Sequence, residues 1–348
     1  MAQVPRPPLP QGHLRHRLPP CLLGAPTTSL HVLGGMGQML GGGPEAAVGG
    51  RGGRSDGDGV RCTRIAVCGG SDGYEELDSV ECYDLATGSW QSIASMSACR
   101  GASTACAISG KLYVCGGLQK TDCLSSAECY DPAAAAWEPL PPMSQHRGWA
   151  AGTVISEQLF ACGGDDGWRQ PLSSVERYSP ATGSWAALPP LLEPRRCAVA
   201  AEVGGSLWVC GGFDARKALS SAERFDVPAG VWQPSPRMSQ ARGAPAAAVD
   251  PTTGCVHVCG GFDGSRILSS VEQYDPAAGA WRTSPPMLQA RAGASAVVVA
   301  GRLYVFGGDD GSRLLSSAEC YDLQRGAWAP LPAMSVRRYG AAAAAVLS

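Results

Sequence analysis

An arginine recurs along the chain at Arg100, Arg147, Arg195, Arg242, Arg291 and Arg337 or Arg338, and a glutamate recurs at Glu81, Glu128, Glu176, Glu223, Glu272 and Glu319. Two chemistries are open to such a set. A guanidinium presents a planar fork that matches a carboxylate, and each charge-assisted bond contributes about 1.5–3 kcal/mol, so a rim of arginines could grip an acidic peptide of a partner protein. The same arginines could instead pair with the six glutamates inside the fold. An asymmetric ligand cannot use six equivalent positions alike, so departures from repetition are the sharper candidates for specificity. These are Trp168, Tyr74, Phe213, Phe262, Trp149 and Tyr339, with the surplus Arg196, Arg338, Arg169 and Arg313. Aromatic and arginine side chains are the usual anchors of interfaces.

Other reactive side chains point to packing. Five of the 15 cysteines (Cys68, Cys115, Cys162, Cys210, Cys259) hold one slot before a Gly-Gly pair, where the sixth repeat has Phe306. Equivalent slots in different repeats are too far apart to bridge, so cysteine here reads as a small apolar residue, which fits a reducing, cytoplasmic compartment. Cys99 beside Arg100 and Cys123 near Lys120 are loop cysteines whose thiolates a cation could stabilise. Asp72, Asp166, Asp214, Asp263 and Asp310 follow the Gly-Gly pairs and read as turn formers. "CVHVC" at 255–259 places His257 between two cysteines on a buried strand, with no fourth metal ligand in view. Nucleophile, phosphate-loop and zinc signatures are missing, so no catalytic residue, cofactor or metal is expected. A formal net charge of −2 gives no reason to expect nucleic acid or an anionic membrane as partner.

The elements that must position these residues follow from one stretch, "KLYVCGGLQKTDCLSSAECYDPAAAAW" at 111–137, of which most of the chain beyond residue 63 is a variation. Its Gly-Gly pair recurs at Gly69, Gly116, Gly163, Gly211, Gly260 and Gly307, and a tryptophan follows each, at Trp90, Trp137, Trp185, Trp232, Trp281 and Trp328. Between them sits Tyr83-Asp84, Tyr130-Asp131, Tyr178-Ser179, Phe225-Asp226, Tyr274-Asp275 or Tyr321-Asp322. Double glycine, then Tyr-Asp, then Trp, at a period near fifty residues, resembles the kelch repeat. The resemblance implies an all-β fold: a six-bladed β-propeller with four strands, a to d from the axis outward, in each blade. The Tyr and Trp then fill the space between blades, at about 4–6 kcal/mol gross for each aromatic.

The first unit opens directly with strand b ("RIAVCGG"), and the last tryptophan is followed by a strand a with no b after it. Residues Tyr339 to Leu347 are therefore expected innermost beside Arg64 to Cys68, holding the ring shut. Residues 63–348 form the propeller on this reading, and 1–62 a low-complexity, Pro-rich then Gly-rich segment expected to be disordered. Within it, "SLHVLGG" at 29–35 has the form of a decayed repeat, and the early arginines leave a transit peptide conceivable.

In an up-and-down blade the b–c and d–a connections emerge on one face. Both the recurring arginines and the departures from repetition fall there. The repeats are most similar to the kelch domain of BTB-kelch proteins, substrate adaptors of cullin-RING ubiquitin ligases, in which this face holds the target. That similarity implies a protein-interaction module, with partner contacts at Arg100, Arg147, Arg195, Arg242, Arg291 and Arg337 or Arg338. Residues 1–62 carry nothing long or helical enough for a BTB or BACK domain, so recruitment of a ligase would be indirect. An actin-binding cytoskeletal kelch protein is the alternative, and a kelch-type propeller enzyme a third: just two of the five histidines, His146 and His257, fall in the propeller, too few for a copper oxidase site.

Overall fold

The computed structural model describes residues 62–167 and 170–347. The expectations for the N-terminal segment, and for Trp168 and Arg169, lie outside them.

Six four-stranded antiparallel sheets form the blades of a propeller. In order from strand a to strand d, blade 1 comprises Ala342–Leu347, Cys62–Cys68, Val80–Asp84 and Ser89–Ile93. Blade 2 comprises Thr104–Ile108, Lys111–Cys115, Ala127–Asp131 and Ala136–Leu140, and blade 3 Ala151–Ile155, Gln158–Cys162, Val175–Ser179 and Ser184–Leu188. Blade 4 is built from Val199–Val203, Ser206–Cys210, Ala222–Asp226 and Val231–Ser235. Blade 5 is built from Ala246–Val249, Val256–Cys259, Val271–Asp275 and Ala280–Ser284, and blade 6 from Ser295–Val299, Arg302–Phe306, Ala318–Asp322 and Ala327–Leu331. The ring closes as the sequence predicts: Ala342 pairs with Cys68, Ala344 with Ala66 and Val346 with Arg64. The closing strand begins at Ala342; Tyr339 instead makes an isolated bridge to Ser71.

Burial follows distance from the axis. Strand b is covered on both sides, so in Lys111–Cys115 the last four residues are all buried and the segment reads as a continuous apolar run. That explains the cysteine slot: Cys68, Cys115, Cys162, Cys210 and Cys259 are free, buried thiols between sheets. Burial pushes those of Cys115, Cys162, Cys210 and Cys259 up to about 12, so none is a thiolate at neutral pH.

Strand d is the exposed edge, and its tryptophan fastens it to the preceding blade. Trp137 Nε1 donates to the Ala94 carbonyl at 2.8 Å, and Trp90 closes the circle by donating to Pro332 at 2.9 Å. Each indole also packs on the strand-c aromatic of its own blade, Tyr130 to Trp137 at 5.3 Å between ring centroids. The glycine pair is compulsory for a different reason. Gly116 has φ +64°, and a Cβ there would stand 2.4 Å from the Arg147 carbonyl oxygen, in the next connection.

Candidate protein-docking face

The face bearing the b–c and d–a connections has two layers, and the recurring arginines belong to the lower one. Arg100, Arg147, Arg195, Arg242, Arg291 and Arg338 are each 2% exposed or less, as are their partners Glu128, Glu176, Glu223, Glu272, Glu319 and Glu81. The structure corrects the reading of these six as a partner-gripping rim, because every guanidinium is already engaged within the fold. Arg100 shows the pattern. Its Nε donates to Glu128 Oε1 at 2.8 Å, Nη1 to the Gly116 and Ser126 carbonyls, and Nη2 to the Ser126 hydroxyl. Its backbone meanwhile belongs to the neighbouring blade: the Arg100 carbonyl accepts from Gly70 N–H and its N–H donates to the Leu77 carbonyl. One residue thus clamps blade 1 to blade 2. Arg338 repeats the clamp from blade 6 to blade 1 through Glu81, Gly69 and Ser79, which settles the sixth member of the ring and leaves Arg337 exposed. The second carboxylate oxygen of each glutamate accepts a backbone N–H of the connection, from Ser97, Ser144, Leu192, Ser239, Leu288 and, for Glu81, Ser335.

Two residues after each clamp the chain takes the left-handed conformation, at Ala102, Trp149, Cys197, Ala244, Gly293 and Gly340, with φ between +49° and +63°. The N–H of each donates to the carbonyl of its counterpart in the preceding blade, and Ala102 donates to Gly340, so six backbone bonds of 2.8–2.9 Å run round the channel mouth in a closed circle. Five of the six side chains here are small. The sixth, Trp149, meets Tyr339 edge-on at 5.3 Å between centroids. A Cβ on Gly293 would stand 2.3 Å from the Tyr339 ring, and one on Gly243 1.9 Å from the Phe213 ring, so both rings lie flat over glycines. Trp149, Tyr339, Phe213 and Phe262 therefore converge in one apolar cluster at the mouth, joined by Cys197, Ala218, Ala244 and Leu314. Phe213 and Tyr339 are buried in it, whereas Trp149 and Phe262 are half-buried and keep surface toward solvent. Arg196, next in the ring, is tied by Nη1 to Asp165 at 3.1 Å.

The upper layer is made by the b–c loops. Asp72, Asp214, Asp263 and Asp310 each accept two backbone N–H groups from the residues two and three further on, the turn role the sequence assigns them. Burial raises the Asp310 carboxyl, but bonds from Ser312, Arg313 and Gln289 outweigh it and hold the group down at about 2. Among the described residues no three His, Cys, Asp or Glu side chains converge as a metal site. At the loop tips Tyr74 is 85% exposed, and Arg266 and Arg313 extend into solvent while each stays 3.6 Å from its own loop aspartate.

The cysteine expectation is corrected here as well. Cys99 sits near Asp78, Glu75 and Glu76 and not against a cation: burial, then these carboxylates, push its thiol up. Cys123 is buried and raised to about 11, chiefly by desolvation. Sequence reading missed Leu192 and Leu288, exposed at 55% and 60% where the other four connections carry serine. The signal was present as a break in the Ser97, Ser144, Ser239, Ser335 column. It also missed Cys197, Ala244 and Leu314, whose small or aliphatic side chains give no chemical cue.

A closed ring of four-stranded blades, clamped between neighbours and open at one aromatic-floored mouth, defines a repeat β-propeller. The kelch motif matches at residues 59–97, 99–144, 150–192, 194–239, 247–288 and 290–335, and the chain belongs to the kelch-motif family. No curated protein matches it. Among solved structures, that titled "Structure of YjhT" superposes with a TM-score of 0.65 at 14% identity, covering 76% of this chain and 97% of the other, a likeness of fold. No helix among the described residues is long and apolar enough to cross a membrane.

Proposed function

We propose that the chain is a protein-interaction module and that a segment of its partner docks across the mouth on the b–c/d–a face. The observation that carries this is the separation of repeated from unrepeated residues. The arginines common to all six units are consumed by blade clamping, whereas Trp149 and Tyr339, aromatic in one blade each, meet Phe213 and Phe262, which share a slot that is aromatic in blades 4 and 5 alone, in one cluster at the mouth. Scaffold needs repetition; recognition of an asymmetric partner needs its absence. Membership of the kelch-motif family supports the same reading.

The partner segment places an apolar side chain on the mouth and carboxylates against the cations that remain exposed, Arg337, Arg216, Lys217, Arg266 and Arg313. On this reading the chain is a binding protein and not an enzyme, and it serves as a substrate receptor that reaches a cullin-RING ligase through a second protein.

The test is affinity purification with mass spectrometry on the full chain, comparing wild type with Tyr74→Ala/Arg216→Glu/Arg337→Glu, all surface changes. Loss of a discrete partner set, with thermal unfolding unchanged, is the expected result. Retention of every partner by the variant overturns the assignment of the face, and actin as the main catch in both samples would favour the cytoskeletal alternative.

A further inference from the structure

Four described b–c loops share one turn, in which the aspartate N–H donates to the carbonyl three residues on: Asp72 to Glu75, Asp214 to Lys217, Asp263 to Arg266 and Asp310 to Arg313, at 3.1–3.2 Å. The backbone is the same and the charge at the fourth position is not. In blades 5 and 6 Arg266 and Arg313 fold back on their own aspartates and neutralise them locally. In blade 4 the Asp214 carboxylate is occupied by the backbone N–H groups of Arg216 and Lys217, and neither of these cations makes an ion pair among the described residues. Arg216 borders a cleft of about 320 Å³ between blades 3 and 4, walled by Pro171, Pro194 and Ala215 and edged also by Gln170 and Asp214, and Lys217 follows it in the same loop. In blade 1 the cation's place is taken by Glu75. The loop 71–79 adds Asp72, Glu76 and Asp78 and contains no lysine or arginine.

These two loops are as far apart as the ring allows. The innermost strands follow one another in the circle blade 1, 2, 3, 4, 5, 6 and back to 1, so blades 1 and 4 lie opposite each other with the aromatic mouth between them. A uniformly acidic segment would meet Glu75 and Asp78, both exposed, and be repelled there; a uniformly basic one would meet Arg216 and Lys217. Like charges held together across an interface are what suppress wrong partners and wrong orientations.

We propose that this face selects a charge-segregated segment in one orientation: carboxylates over the blade 4 cleft, an apolar side chain on the mouth, and basic side chains over the blade 1 loop. It rests on the docking-face assignment above and adds polarity to it. Glu76, whose carboxylate also accepts the Lys120 N–H, holds the acidic corner in place against blade 2.

Fluorescein-labelled peptides of equal composition test it by anisotropy on the full chain: EEEEGWGKKKK, with separated charges, against EKEKGWGEKEK, with alternating ones. The separated peptide is expected to bind about fivefold or more tighter at low salt, the ratio shrinking as ionic strength rises. A photo-crosslinker on its acidic end should label the loop at 213–219 in wild type. In the exchange variant Arg216→Glu/Lys217→Glu/Glu75→Lys/Asp78→Lys, checked for unchanged unfolding, it should label the loop at 71–79 instead. Equal affinity for the two peptides, no binding of either, or a label that stays put on exchange overturns the polarity. If both peptides bind equally but Tyr74→Ala/Arg337→Glu still weakens them, the docking face stands without its polarity. Binding that ignores every variant on this face discards both.

Discussion

The two layers of one face differ in how they use the same kinds of residue. Beneath, six arginines are spent on geometry: each joins the backbone of one blade to the strand-c glutamate of the next, out of reach of solvent. Above, the side chains of Arg216, Lys217, Arg313 and Arg337 stand at the surface of the loops and join no blade to its neighbour. The lower layer is uniform because a ring of equivalent blades needs equivalent joints, and the upper is irregular because no joint constrains it. Changes in the lower layer should therefore register as stability, and changes above as binding.

The largest expected effect is on ring closure. Deleting residues 342–348 strips blade 1 of its innermost strand and exposes the strand from Cys62 to Cys68; Tm should fall by on the order of 10 °C or more in circular dichroism melts. Next comes a single clamp. Arg147→Ala leaves the buried Glu176 unpaired and should cost about 3–5 kcal/mol in urea unfolding, whereas the double change Arg147→Met/Glu176→Leu should recover much of the loss.

A smaller, pH-dependent effect should arise at His257, 3% exposed, whose two ring nitrogens have no hydrogen-bond partner among the described residues. Desolvation lowers its pKa from the ordinary 6.5, against a weaker opposing pull from Asp250. The unfolded chain then binds the proton more readily than the folded one, so stability present above about pH 6.5 is lost as pH falls below it. His257→Phe, matching Phe160 at the same place in blade 3, should flatten that acid slope in unfolding measured from pH 7.5 to 5. Smallest in stability is the upper layer itself. Tyr74→Ala/Arg337→Glu should change unfolding by less than about 0.5 kcal/mol while weakening capture of the partner, and a larger stability loss would blur the division between layers.

The sequence made the scaffold legible down to the closing strand, because glycine pairs, tryptophans and Tyr-Asp pairs mark every blade at fixed spacing. It also offered the six glutamates as partners for the arginines, without showing that each arginine reaches the glutamate of the next blade. What it left open was which of two roles the arginines play, since periodicity places a residue in a connection without saying whether its side chain turns inward. The same gap misled the reading of Cys99: Arg100 is its neighbour in sequence, but that guanidinium reaches to blade 2 and leaves the thiol facing Asp78, Glu75 and Glu76. The aromatic mouth was partly legible, as a set of exceptions; that Phe213, Phe262, Trp149 and Tyr339 meet required the circle to be closed.

The six backbone bonds around that mouth carry one more consequence. Each joins equivalent atoms of adjacent blades, so the in-plane components of these peptide dipoles run head to tail and cancel around the circle. A funnel lined by helix N-termini would draw anions by its architecture alone. These six bonds give the mouth no net dipole in its plane, and the side chains around it can be changed by substitution without removing the backbone circle.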